Sequence, residues 1–88
     1  MNLLYLDFET YYDVQLSLTK MTTVQYVNHP DFKIWGVGLK FNEGDTEWFG
    51  EDQYQDALEQ IPWEATAVVC PNTLFDAYIL TQYLGFYP

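Results

Sequence analysis

The sequence contains no arginine, one histidine and one cysteine. Its only basic side chains are Lys20, Lys33 and Lys40, set against thirteen aspartates and glutamates, for a net charge of −10. That balance excludes the basic stripe with which autonomous nucleic-acid binders hold phosphate. Two readings of the acid remain: a solvated surface that favours solubility, or a surface partly neutralised by divalent cations with basic area supplied elsewhere. The lone Cys70 excludes an internal disulfide and a cysteine-built zinc site. No apolar run approaches the ~20 residues needed to span a bilayer. The opening Met1-Asn2-Leu3-Leu4-Tyr5-Leu6-Asp7 lacks the basic segment of a signal peptide. No membrane partner is therefore expected, and a cytoplasmic setting fits. Internal repeats and low-complexity tracts are also missing.

Apolar and aromatic residues are plentiful. They make up 49% and 19% of the 88 residues, enough for one domain with one modest core and too many for a disordered chain. Leu3-Leu4-Tyr5-Leu6 runs into Asp7-Phe8-Glu9 and predicts a central strand covered on both faces. Residues 10–32 are polar and irregular, except that Thr22 or Thr23 is placed to cap a short helix through Val24, Tyr26 and Val27, stopped by His29-Pro30-Asp31. Residues 33–41 alternate, which predicts a strand with Trp35, Val37, Leu39 and Phe41 on one face. Asn42-Glu43-Gly44-Asp45 is a turn, and Thr46-Glu47-Trp48-Phe49 returns as the second half of a hairpin. Glu51 and Asp52 are expected to open a helix whose Tyr54, Ala57, Leu58 and Ile61 form one face, ended by Pro62. Ala65 to Cys70 read as a short strand. Asn72 or Thr73 caps a last helix through Leu84, with Gly85 as its stop. The order is strand, irregular segment, hairpin, helix, strand, helix: an α/β chain with a mixed sheet.

Asp7 and Glu9 are the chemical feature. Two apart on a strand, they project from one face roughly 6–7 Å apart, with Phe8 pointing the other way. Oxygen-rich sites of this kind suit Mg²⁺ or Mn²⁺, and two such ions about 3.5–4 Å apart are a known device for phosphodiester hydrolysis. Asp76, in the first turn of the last helix, is the candidate third carboxylate. It has a plainer reading, because Thr73-x-x-Asp76 resembles a capping box and an acid there favours the helix dipole. A D-x-E triplet alone is common. His29 reads as a surface turn residue, Cys70 as a small buried hydrophobe, and Tyr11 and Tyr12 as packing over the strand end or as stacking platforms for bases.

Leu6-Asp7-Phe8-Glu9-Thr10 resembles the first motif of ribonuclease H-like, DEDD-type 3′–5′ exonucleases. Asn72-Thr73-Leu74-Phe75-Asp76-Ala77-Tyr78-Ile79-Leu80 resembles their second motif, Asn-x-x-Phe-Asp-x-x-Ile-Leu. Together with Tyr11-Tyr12, Ser17-Leu18-Thr19-Lys20 and Gly36-Val37-Gly38, the chain looks most like the exonuclease region of bacteriophage DNA polymerases of the polymerase I type. The resemblance covers essentially all 88 residues. It implies a ribonuclease H-like mixed sheet with flanking helices, and two divalent ions, Mg²⁺ or Mn²⁺, held by Asp7, Glu9 and Asp76. Thr10, Asn72 and Phe75 would shape the pocket for the 3′ end of single-stranded DNA. The implied reaction is hydrolysis of the terminal phosphodiester, releasing a nucleoside 5′-monophosphate in proofreading fashion, in a bacterial or phage-infected cell.

Two departures stand out. Pro71 occupies the place where the family commonly has His. The third motif, a Tyr or His with a fourth Asp on a later helix, has no counterpart, so residues 1–88 are expected to form a C-terminally incomplete exonuclease domain. Such a chain is expected to be weak or inactive alone, with a polymerase domain or another C-terminal part as its natural complement. Two other readings are an acidic interaction module that pairs with a partner chain, and a structural α/β domain in which Asp7 and Glu9 are incidental.

Overall fold

Strand β1 (Asn2–Thr10) organises the sheet. The structure is a computed structural model that describes residues 1–13 and 15–88. Along β1, Leu4, Leu6 and Phe8 are buried, while Leu3, Tyr5, Asp7 and Glu9 alternate onto the other face. The strand is central, as its apolar run predicts. The expected cover on both faces is not found, since Leu3 and Tyr5 are 36% and 41% exposed. The buried apolar residues form one cluster, in which Leu58, Ile79 and Leu80 from helical segments join Leu4, Leu6 and Phe8. Helical cover therefore serves the Leu4 side alone, and the strand alternates like a half-buried one.

The sheet has the order β3-β2-β1-β4, with β2 (Ile34–Phe41), β3 (Thr46–Gly50) and β4 (Thr66–Val69). β1 pairs antiparallel with β2 and parallel with β4, and β2 pairs antiparallel with β3. The chain is thus a mixed α/β fold with a four-stranded mixed sheet. The β2–β3 connection uses Asn42 in the left-handed region, φ 52°, a conformation that asparagine tolerates. Asn42 also ties the turn to β1: its N–H donates to the Leu3 carbonyl (2.7 Å) and its Oδ1 accepts from Leu3 N–H (2.8 Å).

One expected alternation fails. Glu9 faces Gly36 but Thr10 faces Ile34, so Trp35 is an extra residue in β2, a β-bulge. Ile34 is buried and Trp35 is 44% exposed, off the face that Val37 and Leu39 share.

The helices follow their local signals more closely. Thr22 caps α1 (Thr23–Val27) through a reciprocal capping box with Gln25. α2 (Tyr54–Glu59) buries Tyr54 and Leu58. Glu51 and Asp52 lie in the turn before it and not in its first turn, and Glu51 pairs with Lys33 at 3.2 Å. α3 (Thr73–Tyr78) continues as a π-helical stretch, Ile79–Tyr83. Gly85, with φ +83°, ends it, as a left-handed stop residue should. No helix among the described residues is long and apolar enough to cross a membrane.

Close packing sets one clear expectation. A Cβ on Gly36 would lie 2.4 Å from the Phe49 carbonyl oxygen and 2.5 Å from the Trp48 ring, whereas one on Gly38 would meet nothing closer than 3.8 Å. Gly36→Ala should therefore cost roughly 1–3 kcal/mol, the range for forced overpacking. Gly38→Ala should change the urea midpoint far less. Equal losses for the two variants would contradict this packing.

Candidate functional site

β4 stops pairing with β1 at Val69, opposite Tyr5. Beyond that point no strand among the described residues lies on the β4 side of β1, and the N–H of Phe8 needs another acceptor. Asp76 supplies it. Its Oδ1 accepts from Phe8 N–H at 3.1 Å, and its Oδ2 accepts from Asn72 N–H at 3.3 Å. Asp76 is 0% exposed, one of only two buried polar residues among those described.

This arrangement differs from the capping box that Thr73 and Asp76 suggest. The Thr73 hydroxyl donates to the Cys70 carbonyl instead, at 3.2 Å. Asn72 is the N-cap residue, but its side chain makes no capping bond. Asp76 therefore does more than close the helix end: it fastens α3 to the one residue that separates Asp7 from Glu9.

Asp7 and Glu9 are both exposed, on the face opposite Phe8. Their ladder partners on β2 are Gly38 and Gly36, so β2 places no side chain directly beside either acid. The electrostatic signature falls on Asp76. Burial pushes its carboxyl up, and the charges of Asp7 and Glu9 push it further. The two N–H donors pull it down, and the balance leaves it at about 6. Burial also pushes the Cys70 thiol up to about 11, with Asp76 and Asp7 adding to the effect. A thiol so disposed is not a nucleophile at neutral pH.

A cleft of about 410 Å³ opens at this end of the sheet. Asp7, Glu9, Thr10, Asn72 and Phe75 all line it, with Asp76 buried behind them. Thr10 is not a free hydroxyl. The Tyr26 hydroxyl donates to the Tyr11 carbonyl, and Thr10 Oγ1 shares a 2.8 Å hydrogen bond with that same hydroxyl. Phe75 is buried, its ring centre 5.9 Å from that of Tyr26. Tyr26 is the wall residue that sequence reasoning missed as part of a site. The available signal was the Thr22 cap, which puts Tyr26 on the buried side of α1. Of the two adjacent tyrosines, Tyr12 borders the cleft and is 74% exposed. Tyr11 turns away to donate to Asp13 at 2.9 Å. His29 is a surface turn residue, its Nδ1 accepting from Asp31 N–H.

Among the described residues, no group of three or more His, Cys, Asp or Glu side chains is arranged to hold a metal ion. The donor set nevertheless suits a hard cation: two exposed carboxylates on one strand face, and a third whose upward shift is partly their repulsion. A divalent ion would relieve that repulsion. No family model, curated protein or solved structure matches the chain.

The Asp76 shift has a definite sign for stability. Its folded value, about 6, lies above its ordinary 3.8. Between these values the folded state binds the extra proton, so this site's contribution to stability is full below about pH 4. It is withdrawn as pH rises through about 6, by roughly 3 kcal/mol at most. The difference in urea stability between wild type and Asp76→Asn should carry that slope. A carboxyl ¹³C titration of Asp76 should have its midpoint near 6 and move down, though not to 3.8, in Asp7→Asn/Glu9→Gln. A wild-type midpoint near 4 would contradict the described burial.

Proposed function

We propose that the chain carries the first two motifs of a ribonuclease H-like, metal-dependent 3′–5′ exonuclease that acts on DNA 3′ ends in proofreading fashion. The observation that carries this reading is the hydrogen bond from Phe8 N–H to Asp76. It draws the carboxylate of the second motif to the strand that bears the two carboxylates of the first. The reading further rests on the resemblance of both motifs and on the cleft shared by Asp7, Glu9, Thr10, Asn72 and Phe75.

Divalent magnesium or manganese, when bound, supplies charge that stabilises the developing oxyanion and makes water acidic enough to attack phosphorus. Asp7 and Glu9 would hold the cation. Asp76, fixed by Phe8 N–H and Asn72 N–H, backs them from the interior. Phase and position of the terminal nucleotide fall to the cleft wall, where Tyr26 braces both Thr10 and Phe75. Water adds to the terminal phosphorus and loses a proton to solvent, the bond to the 3′ oxygen of the preceding nucleotide breaks, that oxygen takes up a proton, and a nucleoside 5′-monophosphate leaves.

The water-orienting Tyr or His and the fourth Asp of the third motif have no counterpart in these 88 residues. Loss of such a group typically removes ~10²–10⁴-fold of rate. With Mn²⁺ and a 3′-labelled single strand, this chain alone should release little or no label. Release that Asp7→Ala abolishes would support the nuclease reading and contradict the expected weakness. A second reading, an acidic interaction module without catalysis, draws on the high net charge and on the lack of a ready-made ligand group among the described residues. Calorimetry separates the two: Mn²⁺ binding that is lost in Asp7→Asn/Glu9→Gln is expected for the nuclease, and absence of any binding favours the module.

A further inference from the structure

A second hollow lies away from Asp7 and Glu9. It is a cleft of about 520 Å³ between the β2–β3 hairpin and α2. Its two walls differ in length. The six residues of α2 reach only about 9 Å, whereas the eight residues of β2 extend over roughly 26 Å. The hairpin is therefore much longer than the helix across the cleft from it.

The floor is apolar. Leu39 and Ile61 belong to the core, and Phe49 and Ala57 are only partly buried beside them. The wall is acidic. Glu47 pairs with Leu39 across the ladder, which sets it on the same sheet face as Leu39 and Phe49, where an apolar residue is the ordinary choice. Asp56 faces the cleft from α2. Neither acid has an ion-pair partner among the described residues. Two of the three lysines, Lys33 and Lys40, are instead engaged over the rings of Trp35 and Tyr5.

An inward-facing charge on an edge strand discourages edge-to-edge association. That role needs neither an apolar floor nor a cleft of this size, which falls within the ~300–1,000 Å³ typical of ligand sites. Charge complementarity decides the sign of the occupant, because a chain with net charge −10 repels anions and steers cations toward it. We propose that this cleft docks a basic amphipathic segment of a protein partner. An apolar side chain enters the floor formed by Leu39, Phe49 and Ile61, and a lysine or arginine meets Glu47 and Asp56. This docking is independent of the Asp7–Glu9 site and stands whether or not that site is a nuclease.

The test is an NMR titration of the whole chain with short probe peptides. The first is a basic amphipathic helix with leucines on one face and lysines beside them. The second is its scramble, of equal charge but without an apolar face. The amphipathic probe should shift the Phe49 and Ala57 amides and bind at least about tenfold more tightly than the scramble, a difference of about 1.4 kcal/mol. Ala57→Arg and Glu47→Gln should each weaken it while leaving the spectrum of the rest of the fold in place, and Asp7→Asn should not. Equal binding of the two probes would reduce the effect to net charge and overturn the proposal. So would shifts centred on Asp7 and Glu9, or no binding by either probe.

Discussion

One buried hydrogen bond ties the start of α3 to the acid-bearing end of β1. Phe8 N–H reaches Asp76 across 68 positions of sequence, inside the fold and next to the acid pair on β1. It exists because β4 is short. The parallel ladder ends at Tyr5 and Val69, and the next unpaired donor on β1 would otherwise be buried without an acceptor. A buried carboxylate carries a solvation cost that two backbone donors only partly offset, and the raised carboxyl of Asp76 records the imbalance. The bond therefore fixes where α3 begins, and it also stores the electrostatic tension of three neighbouring acids.

Aromatic packing holds the cleft around that centre. Tyr83 meets Phe32, Phe32 meets Tyr26, and Tyr26 meets Phe75, with ring centres 5.1, 5.4 and 5.9 Å apart. The line runs from the π-helical end of the last helix, through the loop before β2 and α1, to the start of α3. Because Tyr26 also binds Thr10 and the Tyr11 carbonyl, the chain just after Glu9 is located by the same set of rings. A polar, irregular segment of sequence thus acquires a defined position through one buried tyrosine hydroxyl.

What could be read in advance divides along physical lines. Local devices were legible: the Thr22 cap, the Asn42 turn, the face of Tyr54 and Leu58, and the Gly85 stop all depend on residues a few positions apart. The acid pair was legible as well, since strand alternation alone puts Asp7 and Glu9 together. Features that depend on distant partners were not. The bulge at Trp35 arises from the register against β1, and the alternation of β2 by itself gives no hint of it. The bare face of β1 reflects where the helices pack, which an apolar run does not encode. Asp76 could be read as a third carboxylate or as half of a capping box, but its burial and its bond to Phe8 N–H were not legible, because the sequence displays Thr73 and not the unpaired donor on β1.

Convergence of the two motifs on one cation site decides whether this fold can act as a nuclease. The direct measurement is a titration of ¹⁵N-labelled chain with Mn²⁺, following paramagnetic broadening residue by residue. The first amides to broaden should be those of Asp7, Phe8 and Glu9, together with those at the start of α3 around Asn72 and Asp76. Broadening spread evenly over the acidic surface, or centred first on Glu47 and Asp56, would contradict it.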